Sequence, residues 1–505
     1  MLNRKCVWII LYLLACLVSS IPVMILTSPI VEDGVGTMAL AAYVSGYDWS
    51  AFLAQDGYFY KYGQAIWYIV PFAVFENPIV TYRVMLFVNS LLVAFIPVIC
   101  FYLSKKHCGM DAKKAFAIAL AVGFYPAILL YSKYTWAESV LCLMPWVLIL
   151  IFSKLLGDNL SDDSRKVYSC LLAITSVYAF MSHQRGLVIV IATIVVVLFC
   201  DGNKHVSRVH FFATLVICMI IDSIVCRVLK QYVYGGAVLK HNTLSDFLKS
   251  EIYTKLLSIE GITVIVRTVL GWLFHSATST FGLALIALNI MVITVCTAIR
   301  NKHRVHYIDL FVLLVFMGDM ALGVIFFFLG NYEYWYIGGI ERSDHLIFGR
   351  YTESIMPVLV WYALCRLIDD RGIRSTRCVK MISFAELLLL VAYYGVRIMP
   401  VMDGAKVYVH SLMSINLFMD MSRVTNTLDY VPEIGRACLM FGIVSIVIMA
   451  VIMLLDRFGL HTVVSVILIT MFMAVYIRNV IDVQYRVDVA KETKYARFYL
   501  EQGDV

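Results

Sequence analysis

The chain has 505 residues, a hydrophobic fraction of 61%, only 15% charged residues and a formal net charge of +7. An ordinary soluble domain is roughly 45–50% apolar and about 25% charged, so this composition excludes a disordered chain, a collagen-like chain and a soluble enzyme. What remains is a polytopic membrane protein. Its apolar residues come in long runs such as 310–329, broken only by Gly318, Asp319 and Gly323. Such runs suit spanning helices and not the alternating strands of an outer-membrane barrel. In chain order the predicted spans are 7–27, 80–103, 115–131, 138–156, 168–182, 187–200, 211–226, 281–299, 308–330, 351–366, 380–398, 437–455 and 462–477. Those at 115–131, 168–182 and 187–200 are short for a bilayer, and are expected to stop below the interface or to line a cavity. The first span follows Asn3-Arg4-Lys5 without a small-residue cleavage site and reads as an uncleaved anchor. The expected fold is therefore all-α, with about 13 transmembrane helices in one integral membrane domain, 1–505.

Thirteen crossings put the termini on opposite sides. With a cytoplasmic N-terminus, the inner segments carry 20 Lys and Arg in 69 residues and the outer segments 19 in 180; Arg83 and Arg397 lie within spans. This is the bias of the positive-inside rule. It places the protein in the plasma membrane, with the C-terminus and the longer loops outside. It also accounts for the net charge by topology, so no nucleic acid is implied. The 13 cysteines fall in spans or inner loops or at the loop edges and suggest neither a disulfide framework nor a Cys-x-x-Cys metal site.

Most of the polar sequence is outer: 28–62, 227–275, 399–436 and the tail 478–505. In the first of these, Glu32-Asp33-Gly34 precedes an apolar-to-mixed stretch, 37–53, that is expected to lie along the interface as a helix. The run Tyr58-Phe59-Tyr60-Lys61-Tyr62 follows; its aromatics fit either the interfacial belt or a sugar-binding wall. In the second, Thr243-x-x-Asp246 reads as a helix start, and Phe247, Leu248, Ile252, Leu256 and Ile259 would form one apolar stripe on the membrane surface. Three further clusters sit at outer ends of spans: 131–139 (YSKYTWAES), His183-Gln184-Arg185-Gly186, and 344–353 (DHLIFGRYTE). Charged groups placed there are costly unless paired or hydrated, so their collection on one side points to a polar cavity opening outward. Asp319 and Arg397, both inside spans, read as a mutually neutralising pair or as links to lipid headgroups.

The early acidic pair, the Tyr-rich stretch before span two, the YSKYTWAES turn and the HLIFGRYTESIMP segment together resemble the GT-C superfamily of membrane glycosyltransferases. YTWAES is similar to a YTES-like turn of some mannosyltransferases. DHLIFGRY resembles the His-x-x-x-Arg-[Phe/Tyr] motif of others, with one extra residue between His345 and Arg350. The layout of 1–366 resembles the GT-C module with its catalytic outer loop at 28–62, and 367–505 would add further helices and an outer tail. The resemblance implies transfer of a sugar from a polyprenyl-phosphate donor to a hydroxyl of a glycan, lipid or cell-surface polymer.

Under that resemblance each cluster acquires a role. A hydroxyl is a poor nucleophile, so a carboxylate must accept its proton; Asp33 is the candidate base, with Glu32 as its alternate. The leaving lipid phosphate suits a guanidinium fork: Arg350 first, Arg185 second, with His345 and His183 as further substrate-binding groups and Tyr58 and Tyr60 as the wall. Glu138 would hold the acceptor or a metal ion, pair with an arginine, or simply begin span four, where an acid suits a helix N-terminus. Asp33 and Glu138 could supply oxygens to a divalent cation, Mg2+ or Mn2+, and no dense cluster of acids and histidines demands one. One base without a second, nucleophilic carboxylate implies direct displacement with inversion. Two other functions compete: a flippase or transporter of lipid-linked glycans, which would place polar groups at the midplane, and a polysaccharide polymerase or ligase, which would centre on one large outer loop.

Overall fold

Short polar residues set where many of the helices begin. Asn77 accepts from the amides of Ile79 and Val80 ahead of Pro78–Val93; Asp111 does the same for Ala112–Gly123, Ser161 for Asp162–Ser182 and Ser258 for Ile259–Ser279. Each satisfies amides that a helix start leaves without an intrahelical partner. In this computed structural model the chain is an all-α polytopic membrane protein. Residues 4–29, 31–157, 160–199, 205–239, 250–302, 305–336, 342–368, 373–422, 424, 428–490 and 493–501 are described. Among them nine helices are long and apolar enough to cross a membrane, and Ala65–Val74, Gly186–Phe199 and Met356–Ile368 are shorter apolar helices. The one sheet among these residues is a two-residue antiparallel pair, Val407–Tyr408 with Leu428–Asp429.

The breaks in the spans have identifiable causes. Span three divides into Ala112–Gly123 and Pro126–Tyr131, because Pro126 cannot continue the helix and instead opens a new one. Among its described residues, the expected outer segment 227–275 carries more helix than the one surface helix expected there. Arg208–Tyr232 runs past residue 226, and Ile259–Ser279 leads into span eight, Leu283–Arg300. Between those two, Phe281 and Gly282 have positive φ (51° and 80°), and the Met449 sulfur lies where a Cβ on Gly282 would stand. The two helices form one broken rod antiparallel to Ile373–Tyr393: Phe274 stacks on Tyr394, and Asn289 donates to Ser383 and Glu386. Ile259–Ser279 packs through Val264, Trp272 and Phe274 with Gly261, Thr268, Gly271, Ser276 and Ser279 between them, small and polar residues that allow close approach. The expected helix start at Thr243–Asp246, with Phe247 and Leu248, lies outside the described residues. Beyond it, Ile252 is buried against Val264 and Phe328, while Ile259 is exposed.

The first outer segment forms three short helices, Glu32–Gly36, Ala39–Val44 and Ser50–Asp56. The last long helix, His461–Ala490, extends beyond span thirteen, and a further helix, Lys494–Leu500, folds back on the first segment: Phe498 stacks on Phe52 at 3.8 Å. The loop after span one and the chain after span thirteen therefore share one end of the bundle. Arg208–Tyr232 exposes Val209, Val216, Ile217, Ile220, Ile221, Ile224 and Val228, an apolar face suited to lipid. Asp319 and Arg397 are not paired. Ser354 Oγ donates to Asp319, and Arg397 is exposed in the π-turn Tyr394–Ile398.

Candidate functional site

Four chain segments meet at the end of the bundle that carries the first outer loop. The turn before Glu138–Leu155 clamps that loop: Thr135 Oγ1 donates to Gly34 O at 2.8 Å, and Thr37 Oγ1 donates to Thr135 O at 2.8 Å. Gly36 is required by packing, because a Cβ there would lie 2.0 Å from the Tyr60 ring. The clamp delivers Asp33 to the centre of the site with its side chain 26% exposed. Tyr60 Oη donates to Asp33 Oδ1 at 3.1 Å, and Arg350 Nη1 donates to Asp33 Oδ2 at 2.9 Å.

Behind Asp33 lies a buried triad. Glu138, 2% exposed in its side chain, accepts at Oε1 from Arg350 Nε (2.6 Å) and from Arg185 Nη2 (2.5 Å). Its Oε2 has no hydrogen-bond partner. Arg185 also donates to the Arg350 carbonyl at 3.0 Å and stands over the Tyr351 ring; Arg350 stands over Trp136 at 3.9 Å. Burial works against the Arg350 charge, but Glu138 and Asp33 hold its pKa well above the usual range. The sequence offered three uses for Glu138, and the geometry shows it paired with both arginines.

His183 Nδ1 accepts from the Arg185 amide at 3.1 Å. Burial first, then the neighbouring Arg185, pushes its pKa well below the ordinary value, so its ring is neutral. Tyr58 is half-buried with its ring 6.3 Å from that of Tyr60. Glu32 opens the short helix that carries Asp33, and its side chain lies outside the described residues. His345 is set apart from these groups. Its ring packs 4.2 Å from that of Phe327, its Nε2 is buried without a partner, and burial pushes its pKa down to about 3. The extra residue between His345 and Arg350 accompanies this divergence: Asp344–Ile347 forms a single 3-10 turn that faces the Ile259–Ser279 helix, and Trp272 Nε1 donates to the His345 carbonyl at 2.9 Å.

Asp33 and Glu138 are the two carboxylates that could offer oxygens to a divalent ion. Arg350 takes one oxygen of each, and among the described residues no group of three or more His, Cys, Asp or Glu is placed to hold a metal. What the cluster can do chemically is present one solvent-accessible carboxylate beside two guanidiniums.

No family model and no curated relative matches this chain. Among solved structures, the chain is similar to ArnT from Cupriavidus metallidurans, in a crystal structure bound to undecaprenyl phosphate and in another of the apo state. The TM-scores are 0.47 and 0.45, each at 13% identity; the matches cover 96% and 97% of this chain and 78% of those chains.

Several members of the site escape sequence reasoning. Trp136 stacks on Tyr134 at 4.1 Å, and Tyr134 Oη shares a 2.5 Å hydrogen bond with His410 Nδ1. A signal for Trp136 was present, two residues before Glu138 in the same turn; a lone His410 in a long loop gave none. Asp344 explains how that loop arrives. It accepts from the Tyr408 amide and from Ser411 Oγ, and Arg342 pairs with it at 2.7 Å. Burial opposes the Asp344 charge, but Arg342 holds its carboxyl below the usual range. A second buried pair, Lys61 Nζ with Asp222 Oδ2 at 2.6 Å, anchors the aromatic wall, and Lys61 stands 3.7 Å over the Phe180 ring.

Proposed function

We propose that this protein is an inverting glycosyltransferase that moves a sugar from a polyprenyl-phosphate donor to an acceptor hydroxyl at the outer face of the plasma membrane. The acceptor hydroxyl belongs to a glycan, a lipid or a cell-surface polymer. The observation that carries this reading is the pairing of the partly exposed Asp33 with Arg350, itself bridged through buried Glu138 to Arg185. Asp33 accepts the proton of the acceptor hydroxyl as its oxygen bonds to the anomeric carbon. The bond from that carbon to the phosphate oxygen breaks, and its electron pair leaves with the lipid phosphate. Arg350, with Arg185 behind it, receives the growing negative charge. Direct displacement by one base inverts the anomeric centre. Glu138 acts through the arginines as a positioning residue, while Tyr58 and Tyr60 form the wall beside the sugar. No step runs through a metal ion. The gathering of these charges at one end of the bundle, instead of at its midplane, favours an enzyme over an alternating-access carrier.

The test is sugar transfer from a polyprenyl-phosphate donor by the full chain reconstituted in liposomes. General-base catalysis contributes about 10²–10⁴-fold, so Asp33→Asn should slow transfer and donor hydrolysis by that range while donor binding stays within about threefold. Full activity in Asp33→Asn would remove the residue from the mechanism.

A further inference from the structure

A second polar cavity lies at the opposite end of the bundle. The Met356–Ile368 helix follows Arg350 and carries Arg366 in its last turn; its 13 residues put the two arginines about 20 Å apart along the axis. Around Arg366 is an open cavity of about 550 Å³. Its polar rim is Lys106, His107, His306 and Arg366, and Trp361 and Tyr362 line it as well.

Three features make this more than a topological surplus of basic residues. Lys106 and Arg366 each end a helix, where the terminal carbonyls attract cations; that alone would leave them dispersed over the surface. Here they converge on one concavity, and among the described residues no carboxylate pairs with either. Arg366 donates to Tyr362 Oη at 3.0 Å, which fixes its guanidinium at the rim. The imidazoles converge too: the His107 and His306 rings lie 5.5 Å apart, and the buried Asp309 shares a 3.0 Å hydrogen bond with His306 Nδ1 through Oδ1 and acts electrostatically on Arg366. Finally, the Tyr307–Phe326 helix begins here with no side-chain cap; Asp309 stands in its first turn, and Ile308 in the same turn lines the cavity. Amide groups of an uncapped start favour an anion. Trp361, buried with its Nε1 donating to Ser104 Oγ at 3.0 Å, closes the inner wall of the cavity.

We infer that this cavity binds a phosphate-bearing anion, the headgroup of an anionic phospholipid in the leaflet opposite the candidate active site. The volume falls in the range of small-ligand sites, and basic pockets between membrane helices are the usual receptors of such headgroups. The site stands apart from the sugar-transfer chemistry and does not depend on it.

The experiment uses the full chain in neutral detergent and native mass spectrometry to follow bound ligand. Short-chain phosphatidylglycerol is compared with the matching phosphatidylcholine and with inorganic phosphate as competitor. Phosphatidylglycerol should bind saturably and phosphatidylcholine should not. At about 1 kcal/mol per cation, the double variant Lys106→Gln, Arg366→Gln should weaken binding by about 30-fold. Arg366→Lys should retain most of it, which separates lost charge from lost folding. Competition by inorganic phosphate at equal affinity would support the anion site and assign it to a soluble phosphate. Absence of saturable binding, or equal affinity in the wild type and the double variant, would overturn the inference.

Discussion

Glu138 is neutralised twice, and that doubling decides how the surrounding residues respond to substitution. Removing Arg350 leaves Arg185 on Glu138 Oε1, so no bare charge is stranded and the fold should tolerate the change. Asp33 loses its guanidinium, and under the proposed function so does the donor phosphate. A charge-assisted hydrogen bond is worth about 1.5–3 kcal/mol, so Arg350→Ala should raise the donor Kd at least tenfold in a direct binding titration. Glu138→Leu is the opposite case. It leaves Arg185, with its side chain 5% exposed, without a carboxylate, and Arg350, 12% exposed, with Asp33 alone. Loss of one partner from a buried pair costs about 3–5 kcal/mol, so the Tm in detergent should fall well below that of Arg350→Ala. Equal Tm values would show that the triad is not structurally coupled. His345 makes a different kind of prediction. Its folded pKa of about 3 lies below the ordinary value of a free imidazole, near 6.5. The unfolded chain therefore binds the proton first. Stability that His345 contributes is complete above about pH 6.5 and is lost as pH falls toward 3. His345→Gln should flatten the decline of Tm between about pH 6.5 and pH 4; an unchanged slope would remove His345 as a source of that decline.

The short helix Glu32–Gly36 places its carboxylate through contacts that only small residues permit. Gly36 touches the face of Tyr60, and Gly34 lies under Thr135, where a Cβ would meet Oγ1 at 3.3 Å. Gly36→Ala must displace the Tyr60 ring and break its hydrogen bond to Asp33. It should cut transfer by about tenfold or more, since even a small misplacement of a reacting group is costly, with helix content unchanged by circular dichroism. Normal transfer by Gly36→Ala would mean that the Tyr60 contact is dispensable. The same packing logic explains what was legible in the sequence. Spans built on apolar runs, such as Ile434–Arg457 and Tyr307–Phe326, announce themselves by composition. Ile259–Ser279 does not, because glycine, serine, threonine and histidine interrupt the apolar residues of its buried face and its outer end carries Glu260 and Arg267. Asp33, Glu138, Arg185 and Arg350 could be picked out because charge at a span end is costly and therefore rare. Pairing of Glu138 with one arginine was among the readings; that Arg350 takes Asp33 and Glu138 together was not, since it joins positions 317 and 212 residues apart. Lys61 and Asp222 stayed hidden for the same reason: each alone is one charge near an interface, and only the fold makes them a pair.

The bundle closes on itself around the site, because the end of the chain is packed against its first outer loop. Thr493 caps the Lys494–Leu500 helix, Phe498 stacks on Phe52 and meets Trp49 at 5.4 Å, Tyr499 Oη donates to the Pro78 carbonyl at 2.9 Å, and Lys494 pairs with Asp56 at 3.0 Å. Trp49 is only 3% exposed as a result. The loop that bears Asp33 is thus held from two sides, by Thr135 within the bundle and by this helix from beyond the last span. Arg350 and Glu138 are held by each other, Arg185, Asp33 and Trp136, so the two supports are separable. Burial of two large aromatic side chains is worth about 3 kcal/mol or more. Deletion of 493–505 should therefore speed amide exchange across 39–56 by about 100-fold, as 3 kcal/mol implies, and lower transfer. Donor binding through Arg350 should stay within about threefold. Phe498→Ala should move exchange and transfer the same way by a smaller amount. Unchanged exchange in the deletion would show that the Thr135 clamp alone holds the loop, and that the terminal helix is a passive cover over Trp49.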